Sequence, residues 1–446
     1  MIWIQLFILL AAILIGSRMK GIGLGVMGIV GLLLFIFVFH MRPAEPPLDV
    51  MLIILAIVTT AATLQAAGGL NYLVGVAEKI IRSRPSQIIF IGPFVVYFLA
   101  LFAGTSHIIY SVLPIISEVS AKRRIRPERP LSISVIASHI ALTGSPMSAA
   151  TAAFASILAY PSAAVDIMKV CIPSCILGVL AGAISVLKMG KELDQDPGFL
   201  EKMKDPEFAA SIDSVSVKEE TKTKSGAKIA VIIFGITIAL IVLAGSFPFL
   251  LPNLGAGPAN LSVNANGTLT MGTIIEVVTL TGAAAIMLLT KTSPAEVVKA
   301  SLFNSMASAV VSVFGVVWMS STFISHNQSL IRHALGNIAQ AYPWTFAIAI
   351  FLMAVFMFSQ AATTRTMMPL GISLGIVNPS LIAMFPAVNA DFVLPGYPTL
   401  LAAINFDRTG TTRIGRFVIN HSFIRPGLVA ISTAIISGFI LAKIIL

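Results

Sequence analysis

The stretch from Ser359 to Pro369, SQAATTRTMMP, sets one guanidinium, Arg365, in a hydrophobic region whose nearest flanking charges are Arg332 and Asp391. An arginine at the centre of a membrane helix costs about 2.5–3.5 kcal/mol on insertion scales, so one retained there marks a partner, a cavity or a substrate. Ser359, Gln360, Thr363, Thr364 and Thr366 surround it with hydroxyls and an amide able to hydrogen-bond a ligand. The expectation is an anion site anchored by Arg365. The competing structural account has the guanidinium neutralised by helix C-terminal carbonyls in a packed bundle.

An earlier stretch, GTSHIIYSVLP (104–114), follows the same plan. Each has a polar tip ten residues before a proline, and Tyr110 takes the position of Arg365. Gly-x-Pro breaks follow at Gly144–Pro146 and Gly396–Pro398, ending 32 and 29 residues past Pro114 and Pro369. Broken helices present unpaired N–H groups and positive dipole ends, which suit carboxylates. The expected substrate site therefore gathers Gly104, Thr105, Ser106 and His107 from the first tip, and Thr143, Gly144, Ser145 and Pro146 from the first break. From the second tip come Ser359, Gln360, Thr363, Thr364 and Arg365, and from the second break Gly396, Tyr397, Pro398 and Thr399. In this reading one carboxylate of a dianion pairs with Arg365. The other meets Thr105, Ser106 and Ser145.

The elements that hold these residues are membrane helices. The chain is 446 residues, 57% hydrophobic and 11% charged, against roughly 25% charged residues in a soluble domain. Apolar runs long enough to span a bilayer recur from end to end, which makes helices the spanning element. The net charge of +10 resides in short loops between these runs, as the positive-inside rule expects, so nucleic acid is excluded as a partner. Cys171 and Cys175, one helical turn apart in an apolar run, read as buried free thiols. No metal cluster, phosphate loop or nucleophile set stands out, so neither cofactor nor metal is expected.

Apolar runs at 2–17, 22–40 and 50–67 precede an amphipathic stretch bearing Glu78, Lys79, Arg82 and Arg84. The first run, followed by Arg18 and Lys20 and lacking a cleavage site, reads as a retained helix with its N-terminus outside. Residues 86–114 and the basic loop 122–129 then make a re-entrant hairpin. An interrupted crossing (131–159) and a return (164–187) complete the first half. Residues 188–228, with 8 basic and 9 acidic side chains, read as a cytoplasmic linker. The second half repeats the order: runs at 229–250, 271–290 and 305–323, a hairpin from 343, a crossing broken within 380–406 and a last helix at 417–445. This topology puts 23 of the 29 Lys and Arg residues in the cytoplasm.

Each half thus has five crossings and one hairpin, and the second starts on the opposite side from the first. The expected fold is an all-α polytopic membrane protein of two inverted-topology repeats, 1–187 and 229–446, a signature of secondary transporters with a midplane site. Glu78, Arg82 and Arg126 are candidates for a cytoplasmic gate, against a plain reading as solvated topology charges. His107 and His139 are candidate proton relays, and Asp391 and Glu276 candidate coupling carboxylates, against ordinary packing roles. The G-x-G-x-x-G at 23–28 opens an apolar run with no preceding strand and reads as a close helix contact, not a nucleotide loop. An intramembrane enzyme or an anion sensor is the different-class alternative, disfavoured because neither requires alternating access.

The chain resembles the anaerobic C4-dicarboxylate transporter (Dcu) family of bacteria. The resemblance is carried by QAAGGLNYLVGVAEKIIR (65–82), FAGT (102–105), LPIISEV (113–119), IRPERPL (125–131), SPMSAA (145–150), SQAAT (359–363) and YPTLLAAINFDRTGTTRIGRFVINHSF (397–423). It implies inner-membrane transport of fumarate, succinate, malate or aspartate, commonly by exchange. It also implies dimers with an elevator arrangement, in which 1–85 and 229–342 form the scaffold and 86–187 and 343–446 the moving transport domain. Some relatives in addition partner a sensor kinase. Ser106, Gly144 and Gly396 depart from the glycine, alanine and threonine common in the family, which bears on preference within the C4 set.

Overall fold

The computed structural model describes residues 1–446 apart from 20–21, 159, 161, 214–223, 256, 259–261, 264–266, 304–309, 312, 324, 328–329, 331–340, 358, 395–396 and 416–419. Among the described residues the secondary structure is helical, with isolated β-bridges and no strand. Among the described residues five helices are long and apolar enough to cross a membrane: Pro85–Ala103, Ala163–Val186, Ala227–Ala244, Gly272–Thr290 and Ile424–Ile445. Met51–Ala66 and Gly69–Ser83 make a sixth span if they are joined, but they bend by 68°. Ile2–Ile13, Gly25–Phe37 and Trp344–Val355 are shorter apolar helices. Phe7, Phe249, Leu288 and Ile436 are exposed on the outside, an exterior suited to lipid and not to water. The chain is a multi-pass membrane protein.

The first tip and the two later breaks fall at Gly or Pro, whereas the second tip breaks at Ser359. Ile88–Ala103 ends at Gly104, whose φ of +66° is a left-handed turn that glycine adopts without strain. A 3₁₀ turn, Ser106–Ser111, leads into Leu113–Lys122. Farther on, Glu128–Ile140 passes through a 3₁₀ turn at Ala141–Thr143 and restarts at Ala149–Leu158. In the second half Trp344–Met357 is followed by Gln360–Ser373, capped by the Ser359 hydroxyl on the Ala362 N–H. Asn378–Met384 continues as a 3₁₀ segment, Phe385–Phe392, and the chain restarts as Pro398–Phe406.

Helices of the two halves pack against each other. Leu48–Ala66 lies on Met271–Thr290, and Ala163–Val186 lies on Ile424–Ile445. The latter contact is close: a Cβ at Gly178 would stand 2.5 Å from the Ala430 carbonyl oxygen. Glycines of the 23–28 motif serve the same purpose. A Cβ at Gly28 would fall 2.5 Å from the backbone of Gly315, so the motif is a helix contact, as its setting in an apolar run suggested.

The front of the linker is folded, unlike the plain connector expected. Asp196 accepts from the Gly198 and Phe199 N–H groups at 3.0 and 3.2 Å and caps Pro197–Lys202; Pro206–Asp213 follows. Leu193 and Phe199 are buried, and the Arg124 guanidinium lies 5.4 Å from the Phe199 ring centroid. Helices this short carry too few turns for a periodic pattern to register in sequence.

Candidate substrate site

A cavity of about 240 Å³ lies where the two tips meet. Gly104, Thr105, Ser106 and His107 line it from the first tip, Ser359, Gln360 and Ala361 from the second, and Tyr397 from the second break. Leu142 and Met147–Ala150 form the wall beside the first break, and Val58 and Leu302 close it from elsewhere in the chain. Of the residues expected from sequence, seven therefore share one cavity.

The tips differ in how they hold it. Thr105 accepts the His107 N–H at 3.2 Å, and the His107 ring stacks on Tyr110 with centroids 5.7 Å apart. Gly104 has no room for a side chain, since a Cβ would stand 2.5 Å from the Met147 carbonyl oxygen. At the second tip the first turn of Gln360–Ser373 faces the cavity, as does the start of Ala149–Leu158. First-turn N–H groups lack intrahelical partners, so two positive helix ends converge on one space.

Other expected residues support the wall from behind. Ser145 donates to the Leu101 carbonyl at 2.6 Å and accepts the Met147 N–H at 3.2 Å. Thr143 donates to the Ile140 carbonyl and sits 3.3 Å from Cys175 Sγ. A Cβ at Gly144 would press on Ile172, and Pro146 is half-buried. The Thr363, Thr364 and Thr366 hydroxyls donate to the carbonyls of Ser359, Gln360 and Ala362. Their protons are thus spent within the helix. Pro398 is exposed, and Gly396 lies outside the described residues.

Arg365 is buried at 2% exposure, and it does not line the cavity. Its Nε and Nη2 have no hydrogen-bond partner among the described residues. Among the described residues no helix carbonyl accepts from these two donors. A buried guanidinium with idle donors is costly until something accepts from them.

His139 and Asp391, a candidate relay and a candidate coupling carboxylate in the sequence, form the core of the polar network beside the cavity. Gln360 Nε2 donates to Asp391 Oδ2 at 2.7 Å, His139 Nδ1 lies 2.9 Å from Asp391 Oδ1, and His139 Nε2 lies 2.7 Å from Thr399 Oγ1. The Tyr397 ring packs edge-on against His139 at 4.7 Å, and its hydroxyl reaches Ser106 and Gln360. His107 takes no part in this chain, and Glu276 lies on Met271–Thr290, which packs elsewhere. A buried histidine and a buried aspartate far apart in sequence were the available signal, but nothing local said that they meet.

The three gate candidates do not form one cluster. Arg82 pairs with Glu78 at 2.9 Å and with Glu118 at 3.0 Å, tying the amphipathic helix to Leu113–Lys122. Arg126 instead pairs with Glu128 and Asp196, each at 2.6 Å, and so anchors the linker. Burial works to raise the Asp196 carboxyl, but Arg126 and the capping N–H groups hold it below the usual aspartate range.

The chain matches the family described as anaerobic C4-dicarboxylate membrane transporter over residues 1–446. It is 38% identical over 447 residues to the anaerobic C4-dicarboxylate transporter DcuB of Escherichia coli O157:H7, covering 98% of each chain. It is 37% identical to the C4-dicarboxylate transporter DcuA of Wolinella succinogenes, covering all of both. The fold is similar to that of the Alcanivorax borkumensis YdaH transporter, with TM-score 0.54 and 16% identity over 99% of this chain and 96% of that one. Neisseria gonorrhoeae MtrF, described as illuminating a class of antimetabolite efflux pumps, gives TM-score 0.53 at 14% identity over 93% and 84%; at these identities the likeness is one of fold alone. On the full-length family match and these identities, the chain belongs to the anaerobic C4-dicarboxylate membrane transporter family.

Proposed function

We propose that this protein is a secondary transporter that exchanges C4-dicarboxylates such as fumarate, succinate, malate and aspartate. The observation that carries this reading is the cavity in which both tips meet against Val58 and Leu302. A small diacid there would have positive helix ends around it and, from a moving part, would face a fixed wall. In this reading the halves are inverted repeats, the two hairpins with their broken helices move together, and the remaining helices are a scaffold through which two copies dimerise. The charge distribution supports an inner-membrane setting with both termini on the periplasmic side. Arg365, behind the second tip, is the group to which one carboxylate passes when the site rearranges around substrate. Its idle donors favour that role over a packing role.

Counterflow into proteoliposomes tests the proposal. Labelled fumarate is expected to enter vesicles loaded with succinate and not empty ones, without an imposed ion gradient. Uptake into empty vesicles driven by a proton or sodium gradient replaces exchange with symport. Absence of uptake from folded protein that binds fumarate makes it a sensor.

A further inference from the structure

His139 and Asp391 stand 252 positions apart in sequence, one from each half, and both are fully buried. A buried carboxylate persists only where hydrogen bonds or opposite charge meet it. Here Gln360 Nε2 and His139 Nδ1 supply the donors. With Nδ1–H given to Asp391, His139 Nε2 faces Thr399 Oγ1. A neutral imidazole accepts the Thr399 proton at that contact, and an imidazolium donates to the same oxygen. Binding one proton at Nε2 therefore takes the pair from charge −1 to charge 0, and rotation of the Thr399 hydroxyl accommodates it with every heavy atom in place.

This pair lies one residue behind the cavity. Gln360 and Tyr397 line the space and touch the pair from the other side. The remaining titratable groups around it do not duplicate its role. From Ser106–Ser111 come His107 and Tyr110, stacked on each other. Ile88–Ala103 brings Tyr97, which donates to the Ile172 carbonyl. Ala163–Val186 brings the thiols of Cys171 and Cys175, with Asp166 and Lys169 paired at its start. Glu118 and Lys122 of Leu113–Lys122 bond to each other, and Arg425 and Lys443 sit near the two ends of Ile424–Ile445. Trp344–Met357, Asn378–Met384 and Pro398–Phe406 carry no ionisable group beyond Tyr397 at the last cap. Gln360–Ser373 supplies one fixed positive charge, Arg365.

A dianion entering beside an ionised Asp391 and neutral His139 meets one unit of positive charge in Arg365 and one unit of like charge in the pair. Protonating His139 Nε2 from solvent cancels the like charge. A dicarboxylate bearing its own ammonium group brings that positive charge with it. We propose that the His139–Asp391 pair is a proton site that takes up one proton when a dianionic dicarboxylate enters the cavity, and none when the dicarboxylate is an amino acid. The inference rests on the substrate reading above. It makes exchange of an amino dicarboxylate for a plain one electroneutral, because the proton travels with the dianion.

Titration calorimetry of the purified transporter near pH 7.5, where succinate itself is fully ionised, in buffers of differing ionisation enthalpy, counts the protons bound with ligand. The expected result is about one proton per succinate and about none per aspartate. Asp391→Asn, or His139→Gln where the first variant does not assemble, should reduce the succinate value to about zero. No proton uptake with succinate, equal uptake with aspartate, or undiminished uptake in both variants overturns the proposal. Absence of binding heat with both ligands defeats the substrate reading instead, so the two failures are distinct.

Discussion

The two tips share a spacing but not a chemistry. At the first, a left-handed glycine turns the chain into a 3₁₀ segment, and the side chain six residues on is Tyr110, half-buried and stacked on His107. At the second, a serine caps a regular helix, and the side chain six residues on is Arg365, buried with idle donors. The shared spacing marks where the polar ends come together, while the residue at the sixth position decides which end carries charge. An asymmetric site suits the reading in which one carboxylate of a diacid is bound by a cation and the other by neutral groups.

The largest expected effect comes from removing the charged side of that comparison. Arg365→Leu should lower transport roughly 1,000-fold, in line with truncating one partner of a desolvated charge pair. Thermal stability should hold or rise, because the variant relieves an insertion cost of about 2.5–3.5 kcal/mol. The opposite signs separate function from packing. A variant that melts much earlier yet transports normally would make Arg365 structural, and the two tips would then differ in architecture alone.

Gly104→Ala probes the neutral tip. The φ of +66° and the 2.5 Å approach to Met147 mean that alanine adds backbone strain and displaces the first break. The expected cost is about 1–3 kcal/mol, with substrate affinity falling on the order of tenfold, the equivalent of about 1.4 kcal/mol. Ala361→Gly at the second tip should cost no more than about 1 kcal/mol. Melting and binding curves for the two variants measure the difference. Equal effects would mean that the glycine turn contributes nothing special to the cavity.

Much of this was legible in the sequence. Met271–Thr290 spans the same residues as the apolar run between the Asn/Gly-rich loop and Lys291, because a helix that must cross lipid is bounded by its first polar residues. The tips were legible because Gly104 ends a helix and Ser359 begins one. What could not be read is what depends on distant pairing. His139 meets Asp391 only when Glu128–Ile140 and Phe385–Phe392 pack together. Nor could the threonines be read, since a hydroxyl one turn along a helix can turn outward to a ligand or back to its own carbonyl. In an apolar surrounding the carbonyl is the nearer acceptor. Arg365 was found by its charge, but its place behind the cavity wall follows from the helix phase that puts Gln360 and Ala361 in front.

The smallest effect concerns how the first tip is tethered. The helix after it, Leu113–Lys122, is tied to the amphipathic helix Gly69–Ser83 by Arg82 and Glu118, with Lys122 on the same carboxylate. The helix after the second tip, Gln360–Ser373, carries one ionisable side chain, Arg365. If the hairpins move as one body, a tie on one of them sets how readily both leave the scaffold. Arg82 is 36% exposed, so the pair should contribute only about 0.5 kcal/mol to stability. Arg82→Ala should therefore leave the melting temperature within about 2 °C while changing the exchange rate a few-fold, with the dicarboxylate Kd unchanged. Salt should reproduce the change in wild type and have little effect in the variant, because screening acts on the same exposed pair. A shifted Kd instead would mean that the tether shapes the cavity, and the first tip would owe its geometry to charge after all.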